Sequence, residues 1–261
     1  MCEKVPQKIK LPSLLAVEIL GTCAFELWNK GHNQCFLIKD NSHAYLFDAG
    51  SISALSYEYR AVFITHYHID HTRYLLKLKT RVIVGPEVSD GMELDTSKGG
   101  KIVRYDAKSG LDVLKKLFEF KQVNCTKPPH VVYDDETIQV TSIPVNHAVG
   151  LFCTGYLVKN KATGNHIWIS GDFGSMANDS INAIKKARPV QSFIELTYPD
   201  SYEPDGHQSY FSALRLVKEL GIPDYRFVHL SYRWADIISE RGLTSQIILP
   251  KIAKHREIYY F

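Results

Sequence analysis

The sequence contains few cysteines, and none of them form a closely spaced pair. Five are present, an odd number, and no Cys-x-x-Cys spacing occurs among them. This pattern argues against thiol redox chemistry and against a structural zinc site built from cysteine pairs. Reduced thiols are typical of the cytoplasm, so a cytoplasmic protein is expected. The cysteines are Cys2, Cys23, Cys35, Cys125 and Cys153.

Long apolar runs and a strong excess of one charge are also missing. The first twenty residues include an apolar stretch, but Pro12, Ser13 and Glu18 interrupt it and no small-residue cleavage site follows. Neither a signal peptide nor a membrane span is therefore expected. The 31 basic and 28 acidic residues leave a formal charge of +3. This balance is too weak to indicate a nucleic-acid partner without a clustered basic patch.

No low-complexity linker divides the chain, and a single domain spanning residues 1–261 is expected. The hydrophobic fraction of 45% is enough for a large core. Short β-rich runs alternate with helical patterns, which favours a layered domain of strands and helices. Strands are predicted at 15–20, 34–39, 44–47, 61–65, 81–84, 137–145, 152–158, 166–170, 192–196 and 226–230. Helices are predicted at 75–78, 111–120, 181–187 and 211–220, and surface loops at 86–100 and 127–135.

The most informative motif places three histidines and an aspartate within six residues, directly after an apolar strand. These residues are His66, His68, Asp70 and His71. Side chains at positions 66 and 68 can share a direction because strand side chains alternate with period two. Imidazole and carboxylate are ligands that zinc, manganese or iron accept. A histidine-rich surface loop, or a structural site for one metal ion, are the alternatives.

Further candidate ligands follow other predicted strands. His147 comes after the strand that ends in Pro-Val, Asp172 follows His-Ile-Trp-Ile-Ser, and His229 lies in Phe-Val-His-Leu. A lone histidine beside an apolar strand is more often a structural residue than a ligand. Several such residues at successive strand ends instead favour one metal centre.

This series resembles the metallo-β-lactamase superfamily from Leu20 through His229. The resemblance implies an α+β fold, a four-layer αββα sandwich with a metal centre at one edge. It implies that His66, His68 and His147 bind one ion, that Asp70, His71 and His229 bind another, and that Asp172 bridges them. Two divalent ions are expected, with zinc first and manganese or iron as alternatives. His207 competes with His229 for the place of the last ligand.

A second segment carries the prediction about the reaction. Glu195 ends an apolar strand, and His207 precedes an amphipathic helix. The segment resembles ribonuclease Z and related phosphodiesterases, which implies that His207 protonates the leaving alkoxide and Glu195 orients its imidazole. Asp70, His207 and Glu195 are thus the predicted catalytic residues, with attack by a hydroxide that bridges the metals. In the alternative interpretation, Glu195 is a solvated strand end and His207 caps the helix with Ser209.

The predicted function is a metal-dependent phosphodiesterase or nuclease that acts on a small phosphodiester, a nucleotide or a nucleic-acid end, with no membrane partner. The chain lacks a long basic or Gly-rich insertion that could grip transfer RNA. A lactonase or glyoxalase-like thioesterase on the same metals is the first alternative. A metal-binding or sensing protein without turnover is the second, and a di-iron oxidoreductase the third. The aromatic tail of Tyr259, Tyr260 and Phe261 is expected to be buried, although a homo-oligomer contact is an alternative.

Overall fold

The computed structural model describes residues 14–24, 32–96, 101–199, 206–231, 234 and 251–261. Two large β-sheets dominate this part of the chain. Among these residues, no helix is both long enough and apolar enough to cross a membrane.

The first sheet has seven strands and mixes parallel and antiparallel pairs. In spatial order its strands are β10 (Glu119–Val123), β7 (Val82–Pro86), β5 (Ala61–Phe63), β3 (Ala44–Phe47), β2 (Cys35–Lys39), β1 (Ala16–Gly21) and β17 (Ile258–Tyr260). The pairs from β10 to β3 are parallel, and the pairs from β3 to β17 are antiparallel. Its parallel half therefore ends its strands at one edge.

The second sheet has six strands with the same division. Its order is β11 (His130–Asp134), β12 (Ile138–Val145), β13 (Cys153–Asn160), β14 (His166–Ile169), β15 (Gln191–Glu195) and β16 (Tyr225–Val228). Strands β11 to β14 are antiparallel neighbours, whereas β14, β15 and β16 are parallel. Because β12 lies two antiparallel steps from β14, the strands β12, β14, β15 and β16 all end at the same edge.

Two small sheets lie outside these layers. One pairs β4 (Glu58–Tyr59) with β6 (Lys79–Thr80), and the other pairs β8 (Met92–Thr96) with β9 (Lys101–Tyr105). Within the described residues, the helices with full bounds are α1 (Ile69–Thr72), α2 (Ala107–Leu117), α3 (Asn178–Ala187) and α4 (Tyr210–Leu220), with short 3-10 turns at Ile52–Ser56 and Leu75–Lys77.

Local sequence explains where the longer helices begin and end. The Asp106 side chain accepts a hydrogen bond from the Ser109 backbone and so caps α2. Ser209 and Ser212 form a reciprocal capping box at the start of α4. Gly221 ends α4 in the left-handed conformation, at φ 63°, which glycine adopts without steric cost.

Alternation along the strands builds three buried clusters. Phe36 and Ile38 of β2 face the space between the sheets, whereas Leu37 faces the opposite side. In the same way Tyr156 and Val158 of β13 face inward. The period of two therefore divides each central strand between two apolar environments.

The outer clusters add a helical layer to each sheet. Leu114 of α2 belongs to the cluster outside the first sheet. Ile184 of α3 and Val217 of α4 belong to the cluster outside the second sheet. The order is helix, sheet, sheet and helix, so the predicted αββα sandwich and its α+β class are confirmed. The single-domain interpretation of residues 1–261 stays a prediction.

Both predicted surface loops are wrong in part. The segment 86–100 contains β8, which pairs with β9 as a hairpin. The segment 127–135 contains β11, an edge strand that pairs with β12. The Gly, Asp and Pro residues that suggested loops lie mainly beside these strands. In addition, α2 ends at Leu117, and the residues predicted to continue it enter β10 instead.

The aromatic tail is buried only in part. Its residues form β17 and its end, at the edge of the first sheet. Phe261 is buried, whereas Tyr260 is 66% exposed, so the prediction of burial is wrong for Tyr260. The alternation of a strand explains the difference, because neighbouring side chains point to opposite faces.

Candidate metal centre

The histidine-rich run leaves the end of β5 and enters the short helix α1. Strand β5 is fully buried between its neighbours, and the Thr65 backbone after it donates a hydrogen bond to Asp48 Oδ1 at 2.8 Å. His68 precedes α1 with an extended backbone, and its carbonyl oxygen lies 3.0 Å from the Thr72 hydroxyl one turn later. A rigid strand end and a short helical turn therefore fix the direction of this run.

Three of the predicted ligands converge at one point. The ligand atoms of His66, His68 and His147 all lie within 4.8 Å of one another. His66 Nε2 is 3.0 Å from His68 Nδ1, and His147 Nε2 is 3.2 Å from the same atom. The other nitrogen of His147, Nδ1, donates to the Gly206 carbonyl at 2.6 Å. Such a contact orients an imidazole so that its free nitrogen faces a metal.

A second group forms beside the first. Ligand atoms of Asp70, His71 and His229 also lie within 4.8 Å of one another. His229 Nε2 is 3.2 Å from Asp70 Oδ2 and 3.3 Å from His71 Nε2. His229 follows β16 and has a positive φ of 60°, which is uncommon outside glycine. This conformation turns its side chain out of the strand direction.

Asp172 lies between the two groups. Its Oδ2 atom is 3.8 Å from His66 Nε2, 3.3 Å from His71 Nε2 and 3.1 Å from His229 Nε2. It follows β14 after Gly171, whose φ of 63° makes a tight turn at the strand end. All seven predicted ligands therefore meet at the shared edge of the two sheets.

The donor set fits divalent cations. The Oδ1 atom of Asp172 is buried and has no hydrogen-bond partner in the described part of the chain, although a buried carboxylate oxygen normally has one. Neutral imidazole nitrogens and carboxylate oxygens are the ligands zinc accepts. A cation between the two groups would satisfy this orphaned oxygen.

Burial and local charge set the protonation of the ligands. Burial, together with the charge of His147, lowers the pKa of His68 to about 4, and burial also holds the pKa of His66 well below its usual range. Burial opposes ionisation of Asp172, but the neighbouring imidazoles hold its pKa well below the usual range. Burial alone would lower the pKa of His71, but nearby carboxylates raise it. Carboxylates that favour a proton on His71 also favour a metal cation there.

Sequence reasoning missed Asp48, which contacts a candidate ligand of this centre. Asp48, after β3, is fully buried and receives a hydrogen bond at 2.8 Å from His71 Nδ1. The contact leaves His71 Nε2 directed at Asp172 and His229. Burial raises the pKa of Asp48. The signal was present in the segment Leu-Phe-Asp-Ala-Gly, which places an Asp after an apolar strand as the Asp172 segment does.

Glu195 and His207 form a close pair beside the candidate metal ligands. The distance from His207 Nδ1 to Glu195 Oε1 is 2.5 Å. Glu195 is completely buried, and its other oxygen accepts from the Phe173 backbone at 2.9 Å. The interpretation of Glu195 as a solvated strand end is therefore wrong. The interpretation of His207 as a helix cap is also wrong, because Ser209 and Ser212 cap α4.

The surroundings of His207 favour its protonated form. Burial alone would lower its pKa, but the Glu195 carboxylate raises the pKa to about 9. Its ring centre lies 4.6 Å from that of His147 and 5.7 Å from that of His229. An imidazole that favours its protonated form thus lies beside both groups of candidate ligands. Of the two rivals for the last ligand, His229 lies with Asp70 and His71, whereas His207 pairs with Glu195. Ligand atoms of His207, His147 and Asp172 also lie within 4.8 Å of one another.

Thr197 connects this pair with the candidate ligand His229, and the sequence analysis did not identify it. Its hydroxyl donates to Glu195 Oε1 at 2.6 Å. The same oxygen is 2.9 Å from His229 Nδ1. Because a hydroxyl has a single proton, it accepts from His229 Nδ1–H while it donates to Glu195. This leaves His229 Nε2 free to face the centre.

A cavity of about 340 Å³ opens onto these groups. The candidate metal ligands and His207 are therefore reached from the same space. Its lining residues are Ala24, His68, Ile69, Asp70, Glu93, Arg104, Asp172, Thr197, Tyr198, His207 and His229.

Known proteins resemble the chain in sequence and in fold. Ribonuclease Z of Bacteroides thetaiotaomicron is 31% identical over 113 residues, which cover 41% of this chain and 33% of that enzyme. The chain thus matches about a third of the length of this relative. The fold resembles that of the metallo-beta-lactamase fold protein YhfI from Bacillus subtilis, with a TM-score of 0.68, 17% identity and coverage of 95% and 100% of the two chains. It also resembles the short form of human tRNase Z, with a TM-score of 0.59, 16% identity and coverage of 94% and 98%.

The family is shown by a sequence profile. The profile described as the beta-lactamase superfamily domain matches residues 54–230. This range includes the histidine-rich run, His147, Asp172, the Glu195–His207 pair and His229. The chain therefore belongs to the family described as the beta-lactamase superfamily domain.

Proposed function

We propose that this protein is a metal-dependent hydrolase that cleaves phosphodiesters, with His207 as the general acid. The observation that carries the proposal is the contact of His207 with the buried Glu195, beside the candidate metal ligands. The partial match to ribonuclease Z supports the same class of substrate. Small phosphodiesters, nucleotides and nucleic-acid ends are the proposed substrates.

The metal ligands are assigned by their grouping. His66, His68 and His147 would hold one divalent cation, and Asp70, His71 and His229 a second. Asp172 would contact both. Cations bound there supply positive charge that polarises a phosphoryl oxygen and lowers the pKa of water. Zinc is the proposed ion, and manganese or iron suit the same ligands.

His207 carries the proton that the leaving group needs. Its Nδ1 is engaged by Glu195, which leaves Nε2 as the nitrogen able to reach a substrate in the cavity. An alkoxide is a poor leaving group because its conjugate acid is weak, so protonation accelerates its departure. A thiolate departs more readily without protonation. Dependence of the rate on His207 therefore distinguishes a phosphodiesterase from a thioesterase.

The test compares two phosphodiesters with different leaving groups on the metal-loaded protein. We expect cleavage of both bis(p-nitrophenyl) phosphate and a thymidine dinucleotide, and loss of both activities in His68→Ala. His207→Ala should slow dinucleotide cleavage by about 10²- to 10⁴-fold, the usual worth of a general acid. It should slow cleavage of the nitrophenyl ester far less, because nitrophenolate departs without protonation.

The matched control is His130→Ala, which removes an imidazole of the edge strand β11 that neither lines the cavity nor belongs to a group of candidate ligands. This variant should retain both activities. Turnover of a lactone or thioester without phosphodiester cleavage would replace the proposed substrate class with the carbon-centred alternative. Stoichiometric metal binding without hydrolysis of any ester would instead favour a sensing protein.

A further inference from the structure

The hairpin of β8 and β9 forms a wall of the cavity and has no role in the chemistry proposed above. It belongs to neither main sheet. Two of its residues, Glu93 of β8 and Arg104 of β9, line the cavity together with His68, Asp70 and His229. The hairpin therefore presents charged side chains to the same space as the candidate metal ligands.

Hydrogen bonds fix the hairpin to the histidine-rich run. The Glu93 backbone N–H donates to the Tyr67 carbonyl at 3.1 Å, and the Thr72 hydroxyl donates to the Glu93 carbonyl at 2.8 Å. Lys77, in the 3-10 turn after α1, and Asp95 of β8 also form an ion pair at 3.2 Å. Position 93 consequently keeps its place relative to the metal centre.

Arg104 is held by one nitrogen and leaves its other two available. It lies directly opposite Glu93 in the antiparallel register, and its Nε donates to Glu93 Oε1 at 2.8 Å. Nη1 and Nη2 make no hydrogen bond to any residue that the structure describes. The Glu93 side chain is 15% exposed, whereas that of Arg104 is 78% exposed. The terminal nitrogens thus form an anchored fork that is open to the cavity.

Charge gives the fork a specific partner. Within the described lining of the cavity, Arg104 is the one Lys or Arg side chain. A planar guanidinium with two free donors matches a phosphate or carboxylate, which can accept both hydrogen bonds at once. We propose that Arg104 binds a second anionic group of the substrate, a phosphate or carboxylate outside the scissile bond. The inference rests on the proposed function and identifies a substrate with two anionic groups.

Glu93 acts here as the positioning residue. Its carboxylate restrains the guanidinium through Nε, which lowers the conformational entropy that the arginine loses when it binds an anion. A cross-strand ion pair that only stabilised the hairpin would also explain this contact. Such a pair would affect thermal stability, but it would not distinguish ligands that differ by a terminal anion.

The test measures binding to the metal-loaded protein by calorimetry, with thymidine dinucleotide analogues whose bridging phosphodiester is replaced by an uncleavable phosphonate. One analogue has no terminal anion, two carry a 5′ or 3′ phosphate, and one carries a terminal carboxymethyl group. We expect about tenfold tighter binding of a terminal-anion analogue, as one charge-assisted contact provides. The phosphate and carboxymethyl arms identify which anion Arg104 prefers.

Three variants assign the preference to the fork. Arg104→Gln should reduce the ratio of the dissociation constants to about one, and Arg104→Lys should retain part of it because the charge remains without the fork. Arg81→Gln, which removes an exposed arginine outside the cavity lining, should leave the ratio unchanged. Equal binding of all analogues by the unchanged protein, or a ratio that survives in Arg104→Gln, would overturn the inference.

Cleavage of the natural dinucleotide, measured in parallel, separates this inference from the proposed function. Binding with the expected ratio but without cleavage would contradict the phosphodiesterase and leave the anion site in place. Cleavage together with a ratio of dissociation constants of one would support the phosphodiesterase and contradict the anion site.

Discussion

At the scale of single residues, Thr197 joins two parts of the site that lie far apart in the chain. Its hydroxyl contacts Glu195, which holds the proposed general acid His207, and His229, a candidate metal ligand. It is 4% exposed, so water does not readily replace a lost hydrogen bond. One small side chain therefore orients both groups.

We predict that Thr197→Val weakens both metal binding and turnover. Valine has the same shape but leaves His229 Nδ1 without an acceptor and Glu195 Oε1 without one donor. Loss of a contact that orients a ligand typically costs about 10- to 100-fold in metal affinity or activity. Competitive metal titration and kcat measure the two effects. Thr197→Ser keeps the hydroxyl and should remain within a few fold of the unchanged protein; equal losses in both variants would show that the methyl group matters instead.

A second prediction at this scale concerns pH. Burial disfavours protonated His207, but the Glu195 carboxylate raises its pKa to about 9. A reaction that needs protonated His207 is retained below that pKa and lost as pH rises through it. Glu195→Gln removes the negative charge, so the alkaline limb of kcat for a dinucleotide should move to lower pH. The direction holds whatever positive charge the metals add. If the alkaline limb does not move, the required proton is carried by a group other than His207.

At the scale of elements, Glu18 ties three segments together. It lies on β1 and accepts from Lys39 Nζ of β2 at 2.8 Å and from Arg256 Nη1 at 2.6 Å. Arg256 belongs to the segment that leads into β17, so the contact fastens that edge strand to its sheet. Only 7% of the Glu18 side chain is exposed, which makes this pair stronger than a typical surface ion pair.

We predict that Glu18→Gln lowers the free energy of unfolding by about 1–2 kcal/mol at pH 7. Burial raises the pKa of Glu18, but the hydrogen bonds and charges of Lys39 and Arg256 together lower it by more. The net pKa is therefore below the usual 4.5. The stabilisation is therefore fully present above pH 4.5 and disappears as pH falls through the lower folded-state pKa. Urea unfolding at several pH values measures it. Glu58→Gln, at an exposed pair with Lys79, should change stability little at any pH.

At the scale of the whole molecule, the candidate metal centre joins the two sheets. Its ligands follow β5 in the first sheet and β12, β14 and β16 in the second. Cations bound to all of them would stabilise the contact between the sheets, since ligands that bind the folded state alone favour folding.

Removal of the metal should therefore lower the melting temperature. With free metal at about a hundred times its dissociation constant, the stabilisation is roughly 2.7 kcal/mol. For a chain of this size, that corresponds to a decrease of about 5–10 °C when a chelator is added. Calorimetry with and without chelator measures the shift, and returned zinc should reverse it. His68→Ala should show a smaller shift; an unchanged melting temperature would contradict a site between the sheets.

Much of the fold was predictable because it depends on local pattern. The apolar strands before His66, His147 and Asp172 lie close to their predicted positions, since a period of two is visible in a short window. The predictions were wrong where local signals conflicted. The Gly- and Pro-containing stretches were predicted as loops but contain β8 and β11, and the predicted helix does not continue after Leu117, where the chain enters β10 instead. In those places strand pairing outweighed local preference, with the next strand of the chain for β8 and β11 and with the distant β7 for β10.

By itself, the sequence determined the types of candidate ligand, their order at strand ends and, through the resemblance to the metallo-β-lactamase superfamily, the expected αββα fold. Only the tertiary structure decided that Glu195 is buried against His207, that Asp48 and Thr197 orient candidate ligands, and that Arg104 faces the same cavity. These contacts join residues that are separated along the chain by as many as 32 positions at Thr197 and His229. Their geometry depends on how the two sheets and the hairpin pack, which no short stretch of sequence specifies.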